Sequence, residues 1–213
     1  MLKTTSLPEP PSLIAYRQQP KAEYDGPQFT PVKKDIRTQL LISQGYLCAY
    51  CMERIIDDQF QTKVEHWKCQ DNYPEAQLDY TNMFVVCLGK TQNNQHCDSS
   101  KGNQDLTINP ANSIKKVESF IKYTRIGEIY VDDDDDISKD LNATLNLNND
   151  RLKRNRKAVY DAINTRLSKI KGTATKKDLD DLLQKYSQSN ADFHRIPHCG
   201  IAIYFLKKRL SKI

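Results

Sequence analysis

The chain has 213 residues, of which 38% are hydrophobic and 28% charged, a balance that argues against wholesale disorder. No apolar run approaches the roughly 18 residues of a membrane span, and no secretory signal is visible, so we expect a cytoplasmic protein without membrane association. The net charge of +5 is unevenly divided: residues 1–150 carry 16 Lys/Arg and 22 Asp/Glu, residues 151–213 carry 16 Lys/Arg and 5 Asp/Glu. The basic segment favours a polyanion or an acidic protein surface as partner.

The N-terminal region is rich in proline. Six of the nine prolines fall within residues 1–31, where no hydrophobic period is sustained. We therefore predict an extended arm there. Ile36 and Leu40 then introduce a helical spacing that predicts a helix over residues 32–44, with Gly45 as its stop.

Two segments in the middle of the chain predict strands. Residues 60–67 alternate in polarity and indicate a short strand. In residues 79–87, Thr81 or Asn82 either caps a short helix or begins a strand that runs towards a cysteine.

The second half of the chain predicts a hairpin and then helices. Residues 119–131 alternate aromatic and β-branched side chains around a glycine, which is typical of a hairpin. Five consecutive aspartates, Asp132–Asp136, predict a solvated loop because their charges repel one another. Helical periodicity then predicts three helices, over residues 145–170, 175–186 and 196–210.

Six cysteines in a protein without an export signal favour a metal site or a redox thiol over disulfides. A C-x-x-C turn followed by a later pair of cysteines fits an all-thiolate zinc site, formed by Cys48, Cys51, Cys87 and Cys97. The alternative is a free redox dithiol, which would need a βαβ context that the sequence lacks. Cys69 is a competing fourth ligand, and Cys199 is an ordinary buried thiol in the most apolar helix.

Glu65 and His66 are neighbours in the predicted strand of residues 60–67. Successive side chains of a strand point to opposite faces, so the two residues serve different partners unless the strand turns there. Taken alone, His66 fits a half-buried histidine with a hydrogen-bond partner, and a catalytic role depends on the motifs that follow it.

These motifs occur in one order along the chain: Cys48-x-x-Cys51, Glu65-His66, Asn82 leading to Cys87, and Cys97-Asp98-x-x-Lys101-Gly102. The order resembles that of HNH endonucleases with a zinc-binding cysteine quartet. The resemblance implies a ββα-metal unit, in which a two-stranded hairpin and a helix hold one divalent ion. The last motif usually has Asn or His where this chain has Asp98.

By this resemblance, His66 is the general base and Asn82 braces the loop that bears it, although Asn82 also fits a helix N-cap. Glu65 and Asp98 would hold the catalytic ion, with His96 as the rival ligand. Carboxylate oxygens suit Mg²⁺ or Mn²⁺, whereas thiolates suit Zn²⁺. We therefore expect a catalytic Mg²⁺ (or Mn²⁺) and a structural Zn²⁺.

A more specific resemblance covers roughly residues 30–170. The segments HCDSSKGN (96–103), LTINPAN (106–112) and LNLNNDRLKRNRKAV (145–159) are similar to PtuB-type HNH proteins of the Septu antiphage system, which also accompany some retrons. This resemblance implies an ABC/SMC-like ATPase of the PtuA type as partner. In retron versions it implies a reverse transcriptase with its RNA–DNA hybrid as well.

The predicted helix of residues 145–170 begins with a cluster of cations that includes Arg151, Arg154, Arg156 and Lys157. Phosphate contacts from such a face would give sequence-independent affinity that falls steeply with salt. A solvated face or a surface that docks the ATPase explains the cluster equally well. Lys101 would contact a phosphate near the scissile bond or form a surface salt bridge.

We therefore predict an α+β protein of three parts: an extended arm (1–31), a zinc-stabilised HNH nuclease core (32–113), and a hairpin with a basic helical region (114–213). The predicted function is metal-dependent cleavage of nucleic acid as the effector of an antiphage system controlled by a partner ATPase. The alternative is a catalytically inactive zinc-ribbon module that binds nucleic acid or protein. DNA and RNA stay equally open as targets, because the metal unit attacks a phosphate and reads neither sugar nor base.

Overall fold

The structure is a computed structural model that describes residues 7–90, 94–111 and 117–213. Helices and strands both contribute, as predicted for an α+β protein. In chain order the elements are α1 (Pro11–Arg17), α2 (Phe29–Gln44), β1 (Thr62–His66), β2 (Met83–Cys87), α3 (Asp98–Lys101), α4 (Val117–Phe120), β3 (Lys122–Tyr123), β4 (Ile129–Tyr130), α5 (Asp135–Lys139), α6 (Asp150–Ser168), α7 (Lys176–Ser187) and α8 (Cys199–Leu210).

The N-terminal region contains a helix that the sequence did not predict. In α1, Pro11 stands in the first turn, where its fixed φ is favourable, and Leu13 and Tyr16 are buried in the core. The predicted extended arm over residues 1–31 is therefore wrong for α1, because a seven-residue helix is too short for its hydrophobic period to be recognised. Residues 1–6 lie outside the described part of the chain.

The predicted helix and strands around the cysteines are confirmed. Helix α2 begins three residues before the predicted start and ends at Gly45, which adopts φ +65°. Strands β1 and β2 pair antiparallel, with Glu65 opposite Phe84. The Gln44 side chain donates to the backbone oxygens of Leu47 and Val85, 2.9 and 2.8 Å away, and so fastens the end of α2 to β2.

The predicted hairpin of residues 119–131 is present but short, because β3 and β4 have two residues each. The predicted loop of aspartates is wrong for Asp135 and Asp136, which form the first turn of α5. Asp134 caps that helix by accepting from the Ile137 backbone at 3.0 Å. Carboxylates at a helix N-terminus are stabilised by the helix dipole, so the aspartate run starts a helix despite its mutual repulsion.

The three predicted C-terminal helices are confirmed, with later starts for the first and the third. Asn149 caps α6, and Thr175 forms a capping box with Asp178 at the start of α7. Helix α8 starts after His198, whose φ of +52° interrupts the predicted continuous helix.

None of the described helices has the length and apolar character that crossing a bilayer requires.

One large core joins the N-terminal helices, the β1–β2 sheet and the start of α6, and includes Leu13, Val85, Leu152 and Ile201. A second cluster lies among α6, α7 and α8. The predicted boundary between residues 113 and 114 falls on residues 112–116, outside the described part of the chain. The β1–β2 sheet, which carries Glu65 and His66, is part of the large core.

Candidate metal centre and catalytic site

Four cysteine sulfur atoms meet where the turn after α2, the end of β2 and the start of α3 come together. The Sγ atoms of Cys48, Cys51, Cys87 and Cys97 all lie within 4.8 Å of one another. The Sγ atoms of Cys48 and Cys97 are 3.8 Å apart, and those of Cys51 and Cys87 are 3.7 Å apart. Sulfur atoms bound tetrahedrally to Zn²⁺ stand about 3.8 Å apart. The quartet predicted from the spacing can therefore hold a metal ion such as zinc.

Local backbone geometry brings these cysteines together. The turn of the C-x-x-C segment is closed by hydrogen bonds from the Cys48 backbone to Glu53 O and from the Met52 backbone to Cys48 O, at 2.9 and 3.0 Å. Further along, Gly89 adopts φ +64°, and a Cβ atom there would stand 1.7 Å from His96 O. Glycine is thus required where the chain returns from β2 towards Cys97.

The two remaining cysteines lie outside the quartet. Cys69 is buried and does not belong to the four-sulfur group, so its predicted competition as fourth ligand is wrong. Cys199 is fully buried in α8, as expected. Burial raises the pKa of its thiol to about 11, which keeps it protonated at neutral pH.

A chain of polar contacts that the sequence did not reveal borders the thiol quartet. Arg151 donates to the Glu53 carboxylate and also to His96 Nε2, which is 2.7 Å away. Because a guanidinium only donates, His96 Nε2 must accept, and the proton of the neutral imidazole lies on Nδ1. His96 Nδ1 is 3.2 Å from Cys97 Sγ, so it donates to a sulfur atom of the quartet. Such outer hydrogen bonds stabilise metal-bound ligands.

This arrangement bears on two residues singled out in the sequence. Arg151, predicted as a nucleic-acid or partner contact, binds Glu53 and His96, and its side chain is 37% exposed. His96, the rival to Asp98 as a ligand of the catalytic ion, contacts the Cys97 sulfur. Glu53, Cys87 and His96 are also close enough to hold an ion. A guanidinium already bound to two of those three side chains disfavours a second cation there.

Glu65 on β1 meets α3 through two side chains. Its Oε1 atom lies 2.7 Å from Lys101 Nζ, and the two side chains are 9% and 1% exposed. Asp98 lies near enough to Glu65 to raise its pKa, and the Asp98 Oδ1 atom is 3.0 Å from Lys63 Nζ. Burial raises the pKa of Glu65 to about 7, with Lys101 opposing the rise and Asp98 adding to it. Two adjoining carboxyl groups fit a bound cation, which would favour the charged form of both.

Lys101 is placed differently from the prediction. Besides its ion pair with Glu65, it donates to His66 O at 3.1 Å, and its side chain is almost wholly buried. The predicted phosphate contact or surface salt bridge is therefore wrong. The side chain points inwards because Glu65 supplies the opposite charge that a buried ammonium needs, and motif spacing alone does not reveal this pairing.

His66 lies on the face of β1 opposite to Glu65 and contacts the N-terminal region. Its Nε2 atom is 2.9 Å from Gln77 O, and the Tyr24 ring packs edge-on against the imidazole at 4.6 Å. A carbonyl oxygen only accepts, so Nε2 carries the proton and Nδ1 keeps its lone pair. Burial lowers the pKa of His66, which favours this neutral form. His66 therefore has the tautomer and the charge state of a proton acceptor.

Asn82 holds the loop that follows His66. Its Oδ1 atom accepts from the Lys68 backbone at 2.8 Å, and its Nδ2 atom donates to the backbone oxygens of Lys68 and Ala76 at 3.0 and 3.1 Å. The N-cap of the neighbouring 3₁₀ turn is Asp79 rather than Asn82. Of the two readings left open by the sequence, the structure shows loop bracing.

The predicted basic face of α6 is only partly displayed. Arg156 is buried and donates to Gly127 O and Leu147 O at 2.6 and 2.7 Å, so its prediction as a nucleic-acid or partner contact is wrong. Arg154 and Lys157 are exposed, and Lys157 pairs with Asp161 at 2.5 Å. The inward turn of Arg156 depends on the distant hairpin, which helical periodicity does not take into account.

Comparison with known proteins gives one informative relative. No protein-family profile matches the chain. The chain is 32% identical over 91 residues to a candidate HNH endonuclease of retron Vc95 from Vibrio cholerae serotype O1 biovar El Tor. The similar region covers 41% of this chain and 43% of that relative, so it spans less than half of either protein. This similarity supports a nuclease of the HNH type.

Proposed function

We propose that this protein is a metal-dependent HNH endonuclease that hydrolyses phosphodiester bonds in nucleic acid. The observation that carries the proposal is the state of His66, the last residue of the strand that bears Glu65: Gln77 O accepts from Nε2 and leaves Nδ1 as a base. A zinc scaffold alone would need neither the fixed tautomer nor the paired carboxyl groups. The similarity to a retron-associated relative agrees with this proposal.

Glu65 and Asp98 would hold the catalytic cation, with Mg²⁺ or Mn²⁺ favoured by their oxygen ligands. When bound, such an ion stabilises the charge of the phosphate and of the leaving oxygen. Lys101 pairs with Glu65 and Lys63 pairs with Asp98. The Lys63 side chain is 54% exposed and would have to leave Asp98 to an incoming ion.

The residues of the chain account for the remaining chemistry. His66 Nδ1 accepts a proton from water as the water oxygen bonds to the phosphorus, the P–O bond to the leaving sugar oxygen breaks, and that oxygen takes a proton from solvent. The Gln77 carbonyl stabilises the resulting imidazolium through the Nε2 proton. Asn82 fixes the loop after His66, so that the imidazole keeps its position as it changes charge.

A structural Zn²⁺ on the cysteine quartet would tie α2, β2 and α3 together, and with them the carboxylates of the site. We further propose that the protein is of the PtuB type and acts as the effector of an antiphage system. Its partners would then be a PtuA-type ATPase and, in a retron, the reverse transcriptase with its RNA–DNA hybrid. The similarity to a retron relative supports the retron context.

The experiment is a cleavage assay on DNA and RNA with the zinc-loaded protein, alone and co-purified with the products of its neighbouring reading frames. We expect cutting with Mg²⁺ or Mn²⁺ and none when these ions are omitted while zinc is retained. Asp98→Asn should raise the Mg²⁺ concentration needed for half-maximal rate, whereas the control Asp136→Asn, on exposed α5, should not. Binding of nucleic acid without cleavage in every preparation would overturn the proposal and favour an inactive binding module.

A further inference from the structure

A groove of about 640 Å³ runs between α2 and the segment that leads into β1. Four cations line it: Lys33, Lys34, Arg37 and Lys63. The acidic residue among the lining is Asp25. The groove is therefore positive, although residues 1–150 as a whole carry more Asp and Glu than Lys and Arg.

The lysines of the groove are the cations that an anion can reach. Lys33 pairs with Asp25 at 2.9 Å in a surface ion pair, which contributes little and exchanges readily. The Arg37 side chain is 12% exposed and is bound to Asp57 at 2.6 Å. Lys34 is exposed, and the side chain of Lys63 is 54% exposed. A phosphate backbone matches this array in charge.

An aromatic side chain stands at the same groove. Phe60 is 77% exposed, which is unusual for a side chain that gains free energy from burial. The turn that presents it is closed by two hydrogen bonds: the Phe60 backbone donates to Asp58 Oδ1 at 2.7 Å, and the Thr62 backbone donates to Asp58 O at 2.8 Å. Phe60 thus projects from a hydrogen-bonded turn, as a surface on which a base can stack.

The groove reaches the candidate catalytic site at two places. Lys63 Nζ lies 3.0 Å from Asp98 Oδ1, the expected metal ligand. Lys33 Nζ lies 4.8 Å from the centre of the Tyr24 ring, which itself packs on His66. A nucleic-acid strand bound along the groove would therefore pass beside Asp98 and beside the Tyr24 ring that covers His66.

We propose that this groove binds single-stranded nucleic acid next to the scissile phosphate, with phosphates on the lysines and an unpaired base stacked on Phe60. The inference deepens the proposed nuclease function and rests on it. It also assigns substrate binding to α2 and the turn before β1 rather than to the basic face of α6, where Arg151 and Arg156 serve the fold.

The test measures binding rather than cleavage, so that the groove and the nuclease activity are judged separately. Fluorescence anisotropy with labelled 20-nucleotide DNA and RNA strands, without Mg²⁺, is recorded over a salt series. Phe60→Ala should weaken binding about 5- to 150-fold, the range found for loss of one stacked base. Lys34→Ala should lower the slope of log affinity against log salt by about 0.7. Both side chains are exposed, so neither change should disturb the fold.

Matched controls are Ile126→Ala, an exposed apolar side chain of the β3–β4 hairpin, and Lys176→Ala on α7. These should bind within about twofold of the parent protein. Unchanged affinity in the Phe60→Ala/Lys34→Ala protein, or no binding by the parent protein, would overturn the groove assignment. Loss of a co-purified protein partner with nucleic-acid binding intact would also overturn it. Absence of cleavage with binding that still depends on Phe60 would instead overturn the nuclease proposal.

Discussion

Lys101 Nζ lies 2.7 Å from Glu65 Oε1 in an ion pair that is almost excluded from solvent. Two elements that are far apart in the chain, β1 and α3, are joined at this point. Removing one member of a buried pair leaves the other charge without compensation, whereas removing both does not.

Lys101→Met should therefore lower the free energy of unfolding by about 3 to 5 kcal/mol. Lys101→Met/Glu65→Gln should recover most of that loss, because no charge is then left buried. Urea unfolding of zinc-replete protein measures both values. A double variant as unstable as Lys101→Met would show that the lysine stabilises the fold by packing rather than by its charge.

If the thiol quartet binds zinc, substitutions of its cysteines should remove the zinc, and substitutions of the other two cysteines should not. Cys48→Ser and Cys97→Ser should lose the bound zinc and much of the fold, because binding of structural zinc contributes folding free energy. Cys69→Ser and Cys199→Ser should keep one zinc per chain. Zinc analysis together with thermal melting checks this, and a stable, zinc-replete Cys97→Ser protein would contradict the quartet.

Arg156 and Arg154 offer a comparison on one helix. Arg156→Met leaves Gly127 O and Leu147 O without their donor and should lower the free energy of unfolding by about 2 to 4 kcal/mol. Arg154→Met, at an exposed position, should change it by about 0.5 kcal/mol or less. If the two variants were equally stable, Arg156 would not be buried, and the sequence prediction of an exposed arginine would be right.

Asn82 is tested by a change that keeps its shape. Asn82→Asp retains an acceptor for the Lys68 backbone but removes the donor to Lys68 O and Ala76 O. We expect a loss of about 1 to 3 kcal/mol in the free energy of unfolding and a slower cleavage rate. Asn72→Asp, at an exposed position of the same loop, is the control. A full cleavage rate in Asn82→Asp would show that bracing of the loop does not matter for the reaction.

Local signals in the sequence account for much of the fold. Alternation predicted β1, Gly45 predicted the end of α2, and helical periodicity over residues 175–186 predicted α7, because each signal depends on near neighbours in the chain. The spacing of the cysteines predicted which four sulfur atoms meet. These features need little knowledge of the rest of the chain.

The features that the sequence missed all depend on contacts between distant elements. Tyr24 packs on His66 across a gap of more than 40 residues, and its segment is tied by a hydrogen bond from the Tyr24 backbone to Gln77 Oε1 at 3.0 Å. Arg156 turns inwards because the hairpin passes close to α6 at Gly127, where a Cβ atom would stand 2.1 Å from Lys153 O. Charge and periodicity alone place such side chains on the surface.

His66 is the proposed general base of the nuclease. The cleavage rates of His66→Gln and of a control variant, His194→Gln, examine that role. His66→Gln retains an amide that can donate to Gln77 O but has no base. His194→Gln is the control, because that imidazole contacts Tyr46 away from the site. With zinc content and melting temperature unchanged, His66→Gln should cut about 10² to 10⁴ times more slowly than the parent protein, and excess Mn²⁺ should not restore the rate. A folded His66→Gln protein that cuts as fast as the His194→Gln control would contradict the claim.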